Sequence, residues 1–134
     1  MRVKFRIVIH KDGKKLSKGD LLGEKDPFWV GVRYITEFRY LEATKWLMLA
    51  QDCYEKYLLL ALTNLALGQE SQAQEFYQEA LNYKPCHALE IFLEMPEKGE
   101  RVRVKEDCNL EELIYTYYLH EKRQDQKGHR EGST

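Results

Sequence analysis

Cys86 and His87 are neighbours in the chain, directly after Pro85, and a thiol beside an imidazole is the pairing from which nucleophilic catalysis is built. Adjacent side chains seldom point together, however, the pair follows a helix end, and no third orienting group stands out, so both residues read as structural. The four histidines, His10, His87, His120 and His129, lack metal-ligand spacing, and Glu42, Glu55, Glu111 and Glu112 read as helix-surface carboxylates. The three cysteines, Cys53, Cys86 and Cys108, are odd in number and never form Cys-x-x-Cys, which signals neither a disulfide framework nor a thiolate zinc site. That usage fits a reducing, cytoplasmic setting. Gly13 and Gly19 lack the Lys-Ser/Thr that completes a phosphate-binding loop. The expectation is a chain with no catalytic constellation, no metal and no cofactor.

The second chemical signal is positive charge in strand-like segments. Arg2, Lys4 and Arg6 alternate with Val3, Phe5, Ile7 and Ile9, while Arg101, Arg103 and Lys105 alternate with Val102 and Val104. Gathered on one sheet face, those six cations would track a phosphate backbone. The competing arrangement puts the strand around 88–95 between the two, so that Glu90 and Glu94 point to the same face and form a solvated ion-pair ladder. Like charges directly opposite one another are unfavourable, so the acidic strand belongs in the centre. Overall the net charge is only −1, with eight Lys/Arg against four Asp/Glu in residues 1–26 and five against nine in 27–95.

These segments need elements to hold them. Met1–His10 is a half-buried strand by its period of two, unlike the apolar run of a signal peptide. Asp12-Gly13 is a turn, with room for a short second strand after it. Asp26-Pro27 reads as an N-cap followed by proline at the first helical position, where no N–H is needed. Capping boxes at Asp52/Glu55 and Ser71/Gln74, with Gly68 ending the helix between them, predict helices near 27–51, 53–67 and 71–83. The first of these is one rod or two, since 35–40 holds no good breaker. The most apolar run, 57–67, is far shorter than the roughly 20 residues of a membrane span and reads as a buried helix. Leu89, Ile91, Leu93 and Met95 restore the period of two and predict a hairpin with 101–106. Asn109 and Glu112 open a last helix, and residues 122–134, without an apolar side chain, read as a disordered tail behind a single domain of 1–121.

Shifting the chain by thirty residues aligns Gly31 with Ala61, Ala43 with Ala73, Trp46 with Phe76, Leu47 with Tyr77 and Ala50 with Ala80. A small residue lets one helix axis approach another, and the large residue beside it fills the wedge. Tyr57, Leu60, Ala61, Gly68, Ala73, Tyr77, Ala80 and Pro85 resemble a tetratricopeptide repeat, and residues 27–51 resemble a weaker copy of it through Val30-Gly31, Tyr34, Ala43, Leu47 and Ala50. The resemblance spans about 27–87 and implies stacked helical hairpins whose first helices line a partner-binding face. On that face the second unit presents Leu58, Leu59, Leu62 and Ala66, which gives no support to the carboxylate grip some members use. An apolar groove of this kind either accepts an apolar helix from a partner or is covered by the chain's own sheet and last helix.

The expected fold is therefore α+β: a repeat-like helical-hairpin core, a small antiparallel sheet from the N-terminal strand and the C-terminal hairpin, and a C-terminal helix. The expected function is a non-catalytic protein-protein interaction module, with a homodimer as one form of it. Leu58, Leu62, Tyr115 and Tyr118 are the candidate contact residues, tyrosine being favoured at interfaces for its apolar body and polar tip. The alternative is a nucleic-acid-associated protein using Arg2, Lys4, Arg6, Arg101, Arg103 and Lys105. A third class, a small enzyme, requires a pocket gathering Cys86, His87 and an acid.

Overall fold

A computed structural model describes residues 5–95 and 101–104. The expected strand at 101–106 lies within it only to Val104, and the expected helix from Asn109, the tail 122–134 and the candidates Arg2, Lys4, Lys105, Tyr115 and Tyr118 lie outside the described residues.

Strand β1 (Arg6–Lys11) turns at Asp12 and Gly13, both with positive φ of 53° and 77°, into the short β2 (Lys14–Lys15). Two consecutive left-handed residues make the tight hairpin turn that matches strand twist. After the one-turn α1 (Lys18–Leu21), α2 (Pro27–Thr36) opens where Asp26 Oδ1 accepts the Phe28 N–H at 2.8 Å, with Pro27 beside it. The stretch 27–51 is two helices: α2 ends at Thr36 and α3 runs Tyr40–Met48. The break sits at Phe38, which has φ of 60°.

The second hairpin repeats the first. Helix α4 (Tyr54–Ala66) ends at Gly68, with φ of 81°, and α5 (Glu70–Ala80) follows. At the first turn Phe38 N–H donates to Ile35 O and Arg39 N–H to Tyr34 O; at the second Gly68 N–H donates to Leu65 O and Gln69 N–H to Asn64 O. Both are the Schellman closure, residue for residue, at a thirty-residue shift. The small-residue contacts repeat as well. Ala43, Ala61, Ala73 and Ala80 have no exposed surface, Ala50 and Gly31 are buried, and a Cβ added at Gly31 would lie 2.8 Å from Leu47 Cγ.

The predicted capping boxes do not form. Cys53, not Asp52, is the N-cap of α4, and Gln69 rather than Ser71 precedes α5, neither giving a side-chain cap bond. Asp52 instead accepts Lys56 Nζ at 3.0 Å and Tyr57 Oη at 2.8 Å. The buried Lys56 ammonium also reaches Ala50 O at 2.7 Å and so satisfies carbonyls left over beyond the end of α3.

After α5 the chain returns in β3 (Glu90–Glu94) and β4 (Arg101–Val104), giving an antiparallel sheet of order β2-β1-β3-β4. The register places Ile7 opposite Leu93 and Ile9 opposite Ile91, with Val102 and Val104 on the far side of β3. That face closes onto the helices, and the chain is α+β with one core running from Phe5 through α4 to Met95. Beyond the reach of the short β2, the edge of β1 is covered by Tyr40, whose hydroxyl accepts the Ile7 N–H at 3.0 Å.

Candidate functional site

The sheet's other face carries the predicted cations. Pairing sets Arg6 opposite Glu94 and Glu94 opposite Arg101, with Phe92 between Val8 and Arg103 in the adjoining row. Arg101 Nη2 lies 2.9 Å from Glu94 Oε2 and Arg103 Nη2 3.6 Å from Glu90 Oε2, while Arg6 stacks its guanidinium 5.0 Å above the Phe38 ring. The acidic strand is central and the ion-pair ladder forms, so Arg6, Arg101 and Arg103 each have a neighbour already.

Leu58 and Leu62, named as candidate contacts, are in the core. Leu58 lines a cavity of about 60 Å³ together with Tyr54, Glu55, Ile91 and Val104. Leu58 thus faces the chain's own sheet, and neither buried residue offers a surface to a partner. The reason is geometric: α4 has neighbours on nearly every side and is buried from Tyr54 to Leu65 except at Tyr57.

Apolar surface is exposed elsewhere. Leu41 and Met48 share one face of α3 by their spacing, Leu49 follows as its C-cap, and the three are 56%, 53% and 70% exposed. Phe38, at the turn that begins the helix, is 46% exposed. Sequence spacing held the signal, since Leu41, Met48 and Leu49 fall, with Lys45 among them, on the face opposite Ala43, Leu47 and Ala50.

Cys86 and His87 sit in a more constructed setting than their adjacency suggested. Glu55, on the first turn of α4 and 3% exposed, accepts the Cys86 N–H at 2.9 Å and the His87 N–H at 2.8 Å. This buried carboxylate fixes the 86–87 backbone against the start of α4. The His87 ring stacks on Phe28, centroids 4.0 Å apart and 15° from parallel, with Trp29 edge-on at 5.2 Å. Cys53, buried at the N-cap of α4, completes the group: the donor atoms of Cys53, Cys86 and His87 all lie within 4.8 Å of one another. Partial desolvation, a hydrogen bond with Cys53 and the neighbouring Glu55 charge push the Cys86 thiol up to about 12. At neutral pH the side chain is therefore a protonated thiol, a weak nucleophile. An acid is near the pair, but its oxygens hold backbone N–H groups instead of the imidazole.

Among the described residues no helix is long and apolar enough to cross a membrane. No protein-family model, curated protein or solved structure matches the chain.

Proposed function

We propose that the chain is a non-catalytic protein-interaction module of tetratricopeptide-repeat-like type, and that its contact surface is the outer face of α3 instead of the groove of the first helices. The observation that carries this reading is the exposed stripe of Leu41, Met48 and Leu49 with Phe38 beside it. Large apolar side chains exposed singly are ordinary, whereas four gathered on one short helix, its leading turn and its C-cap mark a surface that gains by being covered. The resemblance to stacked helical hairpins draws support from the repeated Schellman turns and the buried alanines. The partner is a protein with an apolar or amphipathic helical surface, a second copy of this chain included. The ladder of Arg101 with Glu94 and Arg103 with Glu90 weighs against nucleic acid, because those charges are balanced at short range.

The test compares the full chain with a Leu41→Glu/Leu49→Glu variant by light scattering across concentration and by cross-linked capture from cell extract. Both positions face solvent, so the variant should fold. The reading expects a self-associated species or a captured protein that the variant loses. A monomer that captures the same proteins as its variant would overturn it.

A further inference from the structure

Two thiols and an imidazole converge at the point where the second hairpin closes. Cys53 precedes α4, and Cys86 and His87 follow the chain's return from α5; Tyr54 N–H meets Lys84 O at 3.4 Å in the same place. Three features go beyond accidental proximity. All three donor atoms fall within one 4.8 Å group. The His87 ring is held by Phe28 and Trp29, so its orientation is set by packing. The buried Glu55 accepts both backbone N–H groups of the 86–87 segment, which fixes the backbone carrying two of the donors, and adds negative charge beside the cluster.

We propose that Cys53, Cys86 and His87 form a binding site for one thiophilic d10 cation, of which zinc(II) is the type. Sulfur and imidazole donors select such ions over magnesium and calcium, which prefer oxygen. Tetrahedral zinc sits about 2.3 Å from sulfur and about 2.0–2.1 Å from nitrogen, which sets neighbouring donors roughly 3.5–3.8 Å apart. From a group within 4.8 Å, donor pairs need to close by at most about 1.0–1.3 Å. Cys86 is exposed, which provides an entry path, and the three described donors leave a fourth position for water or another side chain. As the ion binds, each thiol releases its proton to solvent and forms a sulfur–metal bond, and the hydrated ion sheds the waters the three donors replace. A plain disulfide between the same two cysteines would leave the oriented imidazole and its support unused, so the geometry favours the cation.

The reduced full chain is titrated with zinc(II) against a chromophoric chelator, and with cobalt(II) followed by visible absorption. Zinc protection of Cys86 from alkylation is read by mass spectrometry. The expected result is one ion per chain, a cobalt spectrum with thiolate charge-transfer and tetrahedral d–d bands, and protection of Cys86. Cys86→Ser and His87→Gln should weaken binding at least about tenfold. Because Cys53 is buried and its variant could misfold, the decision rests on Cys86→Ser and His87→Gln, checked for native circular dichroism. Absence of binding, binding that survives Cys86→Ser, or oxidation of Cys53 and Cys86 to a disulfide at the same rate with and without zinc would each overturn the proposal.

Discussion

Gly31→Ala tests the close approach of α2 and α3, on which the hairpin core depends. Two opposing effects set its size. Replacing glycine by alanine inside a helix is worth about 1 kcal/mol in the folded state's favour. Against that, the new Cβ would sit 2.8 Å from Leu47 Cγ and 2.9 Å from its Cδ2, with Ala43 O at 3.4 Å. Ordinary carbon contacts lie at roughly 3.5–4.0 Å, so something must move. Leu47 has no exposed surface, and one clashing atom is its branch point, so turning a terminal methyl does not relieve the overlap. Overpacking of this kind costs about 1–3 kcal/mol, toward the upper end here, and the expected net loss is about 1–2 kcal/mol. The assay is urea unfolding of the wild type, Gly31→Ala, Leu47→Ala and the double variant. Leu47→Ala alone should cost about 2–5 kcal/mol. In that background the added methyl enters vacated space, so Gly31→Ala should become neutral or stabilising, with a coupling of at least about 1 kcal/mol. An equal effect in both backgrounds, or a stabilisation by Gly31→Ala in the wild type, would refute the close packing of these helices.

The matched turns predict an asymmetry: Gly68→Phe should cost about 1–2 kcal/mol at its left-handed position, whereas Phe38→Gly should stay within about 1 kcal/mol of zero, relief of strain being offset by the lost Arg6 contact and a freer unfolded chain. Lys56→Met should lower stability by about 1–3 kcal/mol in urea titration, because Ala50 O loses a charged donor at 2.7 Å in a buried setting. Hydrogen bonds from Tyr57 and Lys56 hold the Asp52 carboxyl below its ordinary range. A group with a lowered folded pKa stabilises above its unfolded value, so this contribution is constant above about pH 5 and fades as pH falls through the folded value. Asp52→Asn should therefore flatten the acid limb of a stability profile measured by denaturant titration, leaving the stretch between about pH 7 and pH 8.5, below the tyrosine range, unchanged in shape.

Most of the framework was legible because local rules and tertiary needs agree. The alternation around Ile7, Ile9, Ile91 and Leu93 predicts the inner sheet face, and like-charge repulsion places the acidic strand in the middle. Asp26-Pro27 and Gly68 act as their types predict. The rod-or-two ambiguity at 27–51 arises where a local rule fails, since the left-handed residue that ends α2 is phenylalanine, for which no stop signal exists. The thirty-residue shift nonetheless pairs Phe38 with Gly68, so the repeat itself carried the missing breaker. The capping box at Asp52 and Glu55 fails because Glu55 is claimed by backbone N–H groups 31 and 32 residues away. Spacing along a chain cannot register that competition.

The same logic explains why the cysteine–histidine cluster escapes spacing rules and why it forms. Short metal motifs place their ligands on one turn or loop, whereas Cys53 and Cys86 are separated by an entire helical hairpin. An antiparallel hairpin returns its end to its beginning, so the residue before its first helix and those after its second must meet. In this chain the meeting point is fixed three times over: by Tyr54 N–H on Lys84 O, by Glu55 on the 86–87 backbone, and by Phe28 of the preceding unit stacked on His87. Two of these contacts close the second hairpin, and the third ties it to the first. A cation bound there would close the second hairpin through three side chains and reach the first only through the His87 ring stacked on Phe28, and so should slow amide exchange at the α2 and α4 N-termini together. Exchange slowed only around Cys86 and His87 would mean that the site grips its own loop and does not join the two units.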